Sequence, residues 1–192
     1  MFYSNGSLAQ DTANFYLTAA ISLLFPFGAF SYMIHRGVRP REIVGAIGLG
    51  RGKLTLNIIG IGLVVFFALF ALELLVNLAS TVSNTPIDTN VSLLLQNAPL
   101  WFLVFTAVIA PINEEIFFRG FLVPRIGIIF SAIIFGLLHA SYNSTFGVEI
   151  IAAFIFGSIA GYVFRKSGSL YPSIIAHIMI NSLAVIAFIA VV

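Results

Sequence analysis

Apolar residues run along this chain in blocks of about twenty, with short polar breaks between them, and show neither strand alternation nor the single stripe of a soluble helix. Such blocks predict membrane-crossing helices, since about 20 residues at 1.5 Å each cover the hydrocarbon core. The first block runs from Phe15 to Met33, interrupted by Pro26, and the second from Leu54 to Leu78. Pro99 and Trp101 mark re-entry for a third, Leu100 to Val123, and Val123-Pro124-Arg125 reads as the tip of a hairpin into a fourth, Ile126 to His139. The fifth covers Phe146 to Phe164 and the sixth Ile174 to Val192. Ser80 to Gln96 and Ser141 to Thr145 are polar and carry no basic residue, which suits outer loops; residues 1–14, with Asp11 and no Lys or Arg, do not read as a signal peptide.

Composition agrees with the pattern. At 60% hydrophobic, 8% charged and a mean hydropathy of +1.08, the chain is all-α, a polytopic membrane helical bundle of about six transmembrane helices. All nine Lys and Arg fall in three stretches, residues 36–53, 119–125 and 165–166. The positive-inside rule places these in the cytosol and both termini outside, in a multi-pass protein of the cell membrane. The first stretch, with apolar Ile43 to Leu49 inside it, is expected along the cytoplasmic surface, with His35 an interfacial residue. A net charge of +2 confined to loops gives no basis for nucleic-acid binding, and with no cysteine the chain has neither disulfides nor a thiol nucleophile.

Charge changes the picture at Asn113-Glu114-Glu115-Ile116-Phe117-Phe118-Arg119, inside an apolar block where ionisable groups are costly and mark function by default. On a helix, Arg119 stands one turn beyond Glu115, which pairs the two; Glu114, about 100° around, keeps a carboxylate without a cation and is the candidate general base. Pro111, one turn earlier, should bend the helix there. Two more polar positions share the i, i+4 pattern on apolar helices: Phe135 with His139, and His177 with Asn181. Taken singly, each has a bland explanation: a structural ion pair, a packed histidine, an interhelical hydrogen bond. Glu73 with Asn77 suits a solvated helix end, Glu149 a helix N-terminus, and Ala153, Gly157 and Gly161 a close-packing face.

Together, EExxxR, FxxxH and HxxxN in that order resemble the CAAX protease and bacteriocin-processing (CPBP) family of intramembrane endopeptidases, which includes the type II CAAX prenyl endopeptidases. Phe118-Arg119-Gly120 and the Gly168 to Ile174 approach to His177 are similar too. The resemblance divides the chain into N-terminal transmembrane helices with the basic loop, 1–98, and a catalytic membrane core, 99–192. It implies that Glu114 and His139 activate a water for attack on a scissile carbonyl, and that His177 and Asn181 donate to the oxyanion. Glu115, Arg119 and Phe135 would support them. The substrate implied is a lipidated or membrane-embedded peptide or protein at the cytosolic face of the lipid bilayer.

Other intramembrane proteases are excluded: there is no H-E-x-x-H and no Gly-x-Ser-Gly, and Asp11 and Asp88 lie outside the spans. A non-hydrolytic scaffold or immunity protein and a proton-relaying transporter are the alternatives. Zinc held by Glu114, His139 and His177 is chemically possible. A metal-free site is preferred, because each candidate ligand comes from a different segment and Asn181 is a poor zinc ligand.

Overall fold

The computed structural model describes residues 5–50, 54–83, 97–139 and 148–191. Arg51, Lys53, Asp88, most of the 80–96 loop and the 141–145 loop lie outside the described residues, as do the side chains of Asp11 and Glu149. Six helices make up the described chain, with no strand among those residues: α1 (Asn5–His35), α2 (Pro40–Ala46), α3 (Leu56–Ser83), α4 (Leu100–His139), α5 (Val148–Ser167) and α6 (Tyr171–Val191). All but α2 are long and apolar enough to cross a membrane. Large apolar side chains point outward, with Leu56 85% and Phe130 66% exposed, whereas Glu115 and Arg119 are buried. This inversion of a soluble protein is what a lipid solvent requires, since apolar surface costs nothing there and charges do.

Helix α4 doubles back on itself. A straight helix would separate Phe118 from Phe135 by about 25 Å. Their rings lie 4.9 Å apart, and the Ser131 hydroxyl donates to the Phe118 carbonyl at 2.9 Å. The reversal is at Gly127, whose φ of 85° and ψ of 171° suit a residue without Cβ. The hairpin is therefore present, but its tip is Gly127 and not Val123-Pro124-Arg125. Two π-helical stretches, Phe105–Ile109 and Ile116–Leu122, each end two residues before a proline, Pro111 and Pro124. A proline ring crowds the carbonyl four residues back and removes a donor, and widening the preceding turn accommodates both effects without ending the helix.

Moving the tip changes the depths. Glu114 lies thirteen residues before Gly127 and His139 twelve after it, roughly 20 and 18 Å of helix, so the two come level. The second leg, 128–139, is about 18 Å long and does not span the hydrocarbon by itself.

The basic loop also departs from the surface position expected for it. Helix α2 turns Ile43 and Ile47 inward, and Ile47 (1% exposed) packs in one core cluster with Ile116, Val123, Leu170 and Ile174. Gly48, at φ 85°, accepts from the Leu170 N–H at 3.1 Å, and any Cβ there would stand 2.8 Å from the Phe164 ring. The Tyr171 hydroxyl donates to the Leu49 carbonyl at 3.2 Å. The loop thus locks the start of α6 and sets the depth of His177. Its polar side stays outside: Arg39 caps α2 together with Glu42, and that hydrogen bond holds the Glu42 carboxyl below the usual carboxylate range. His35 is exposed, as an interfacial residue would be.

Candidate active site

Glu115 and Arg119, one turn apart on α4, meet at 2.8 Å with side-chain exposures of 0% and 1%. Helix α6 brings His177 against the same carboxylate: its Nδ1 lies 2.9 Å from Glu115 Oε1. A carboxylate oxygen only accepts, so Nδ1 carries the hydrogen and donates. The other ring nitrogen, Nε2, then faces Glu114 Oε2 at 3.9 Å. Arg119, Glu115, His177 and Glu114 thus form one chain of polar groups. The last of them is 21% exposed, and its Oε2 is buried without a hydrogen-bond partner.

Three phenylalanines wall the chain. The Arg119 guanidinium lies over Phe135 at 4.3 Å and Phe156 at 4.8 Å, and the His177 ring meets Phe156 edge-on at 4.7 Å. An ion pair on one side and aromatic faces around it stand in for water at the guanidinium, with Nη2 left without a hydrogen-bond partner. Gly157 lets α5 approach this closely: a Cβ there would come within 3.1 Å of Ala132 and 3.4 Å of Arg119 Nη2.

His139 sits on the far side of Phe135, at 4.4 Å between ring centroids, and Phe135 in turn contacts His177 at 6.0 Å. Its Nδ1–H donates to the Phe135 carbonyl one turn back at 2.8 Å, which leaves the lone pair on Nε2. Asn181 turns to the Thr106 carbonyl at 3.0 Å. In the π register Thr106 would pair with the backbone nitrogen of residue 111, a proline with no hydrogen, so this carboxamide supplies the donor that the helix lacks.

The structure therefore joins Glu114, Glu115, Arg119 and His177 directly, sets Phe135 between His177 and His139, and places Asn181 one turn beyond His177. The sequence pairs Glu115 with Arg119 and offers His177 to Glu114, but gives no sign that His177 also joins Glu115. Sequence reasoning also missed Phe156, Ser22 and Asn113. The Asn113 amide, next to Glu114, is buried and donates to Ser22 on α1 at 3.2 Å, a link across residues 91 positions apart that no local spacing signals. Ser173, one turn before His177 on α6, is buried and donates to the Leu170 carbonyl at 3.0 Å.

Fold and cluster together define an all-helical, multi-pass membrane protein with an ionisable centre closed off by aromatic side chains. A family comparison agrees: residues 96–183 match the family model described as Type II CAAX prenyl endopeptidase Rce1-like, so this part of the chain is similar to that family. No curated protein and no solved structure matches the chain. Among the described residues, no three His, Asp or Glu side chains are grouped so as to hold a metal ion.

Proposed function

We propose that this protein is a glutamate-centred endopeptidase of the cell membrane, cutting a lipidated or membrane-embedded peptide at the cytosolic face. The observation that carries the reading is the relay from Arg119 through Glu115 and His177, which ends 3.9 Å from the unpartnered Oε2 of Glu114. By distance alone, an oxygen about 2.8 Å from each atom would bridge Nε2 and Oε2. A water held there gives a proton to Glu114 as it attacks the scissile carbonyl, with the lone pair on His139 Nε2 as the accompanying acceptor. His177, oriented through Nδ1 by Glu115, turns Nε2 towards the developing oxyanion as its proposed donor. Asn181 adds the amide N–H that Thr106 does not use. The proton on Glu114 then passes to the leaving amine as the carbon–nitrogen bond breaks. Glu115 is a positioning residue: it fixes the tautomer and the plane of His177, as the carboxylate does in a serine-protease triad.

The matched family's description points to prenylated CAAX-type peptides as the substrate. The test is reconstituted protein with prenylated and unprenylated peptide libraries, wild type against Glu114→Gln. Cleavage abolished with folding retained supports the reading, and undiminished cleavage by Glu114→Gln refutes it. Binding of a partner by a protein in which neither form cleaves would point to a scaffold. Proton-coupled transport altered by Glu114→Gln would point to a transporter. We propose further that this chemistry needs no resident metal, supported by the Phe135 ring that stands between His139 and His177. Stoichiometric zinc in active protein, with activity lost on chelation and restored by zinc, would overturn that.

A further inference from the structure

The basic end of the bundle holds a cleft of about 450 Å³ between the end of α1, the end of α2 and the first leg of α4, lined by Tyr32, Met33, Arg36, Val38, Gly120 and Arg125 among others. Arg125 is held in place there: its guanidinium lies 3.9 Å from the Phe121 ring centroid and 5.4 Å from that of Tyr32, and its Nη1 donates to the Phe121 carbonyl at 2.6 Å. Arg36 completes the charge from the opposite wall. Among the described residues neither arginine has an acidic partner, since Glu42 is taken by Arg39 and Glu115 by Arg119. Two cations on one cleft, one of them held in place and neither with a counter-ion among the described residues, repel each other and invite an anion.

We propose that this cleft binds the phosphate headgroup of an anionic membrane lipid, with Arg36 and Arg125 as its ligands. Position selects a lipid over a soluble anion. Arg36 directly follows the membrane-crossing part of α1, Thr12–His35, and Arg125 lies two residues before the Gly127 tip, so both sit at helix ends where headgroups lie. Beside the cleft the surface is apolar and open to lipid: Tyr32 is 46% exposed, Ile34 48% and Ile129 56%. Basic pockets between membrane helices on the cytoplasmic side recognise headgroups by this combination of charge and apolar flank. The occupied cleft would tie α1 and α2 to α4 about six residues beyond the glutamates, at Gly120.

The test uses full-length protein in nanodiscs of phosphatidylcholine with or without phosphatidylglycerol, read by thermal melting and by lipid retained in native mass spectrometry. Phosphatidylglycerol is expected to raise the melting temperature and remain bound. Arg36→Ala/Arg125→Ala should weaken retention about thirtyfold, from roughly fivefold per arginine. Arg165→Ala/Lys166→Ala, basic residues outside the cleft, should leave it unchanged. Should the double arginine variant fail to fold, Ala46→Phe fills the cleft without altering charge and should displace the lipid. Equal retention in the cleft and control variants would reduce the effect to general surface attraction and overturn the proposal. The same protection from inorganic phosphate alone would overturn it in favour of a soluble anion.

Discussion

Arg119→Ala tests the division of labour between the two glutamates. The substitution removes the guanidinium 2.8 Å from Glu115 Oε1, and takes a side chain that is 1% exposed out from between Phe135 and Phe156. Breaking a buried ion pair from one side costs roughly 3 to 5 kcal/mol, because the remaining charge stays buried without compensation. For a chain of this size that corresponds to a fall in melting temperature of roughly 6 to 20 °C. Glu114→Ala removes a carboxylate that is 21% exposed and pairs with no cation at hydrogen-bond distance, so its melting point should move by no more than a few degrees while cleavage is lost. The assay is melting in detergent by intrinsic fluorescence, alongside peptide cleavage. Glu115→Gln/Arg119→Met should recover part of the stability lost in Arg119→Ala, since it removes both charges and keeps the volume. Equal destabilisation by Glu114→Ala and Arg119→Ala, or a double variant no better than Arg119→Ala, would refute the assignment of Glu115 as the structural partner and Glu114 as the base.

Gly127→Ala forces a Cβ into a left-handed turn at φ 85°, and should lower stability by about 1 to 2 kcal/mol in thermal melts, whereas Pro124→Ala should cost less because the chain does not reverse there. Asn181→Ala should lower kcat about 10²- to 10³-fold if its remaining N–H serves the oxyanion. Lost stability with unchanged kcat would reduce Asn181 to a clamp on Thr106. Single cysteines in this Cys-free chain should report the topology: Arg41→Cys should label only from the cytosolic side and Val82→Cys, 77% exposed, only from outside. Outside labelling of Arg41→Cys would invert the orientation.

The spans were legible because a bilayer leaves little choice: a segment crossing it must be apolar for about twenty residues, and the α1, α3, α5 and α6 blocks are. The Glu115–Arg119 pair was legible because both partners sit on one helix, where spacing fixes geometry. What spacing within one helix cannot give is which helices touch. His177 reaches Glu115 across 62 residues and Asn113 reaches Ser22 across 91, and both contacts depend on how α6 and α1 pack on α4. The tip was misplaced for a local reason. Proline reads as a break, yet Pro124 follows a π-helical turn that makes room for its ring, and the unmarked Gly127 does the turning. The inward face of α2 was hidden by its setting, since a loop rich in arginine reads as surface until Ile47 is seen under Gly120.

The distribution of hydrogen bonds separates structure from chemistry among the buried polar groups. Each π-helical stretch of α4 has a carbonyl met by a side chain from elsewhere, Thr106 by Asn181 and Phe118 by Ser131. Arg119 and His177 both give their hydrogen to Glu115, and Asn113 gives one to Ser22. These bonds fix the first leg of α4 from three sides and hold its backbone still around residues 113 to 119. Glu115 Oε2 and Arg119 Nη2 also lack a partner, but their groups are held through their other atoms; the Glu114 carboxylate is held by none of the bonds that stiffen this segment, with one oxygen turned towards His177. A group with only a structural role would be expected to have a partner, because an unpaired buried carboxylate is costly. The stiff surroundings can carry that cost, and a base that must give up and regain a proton in each turnover is better placed without a fixed partner competing for it.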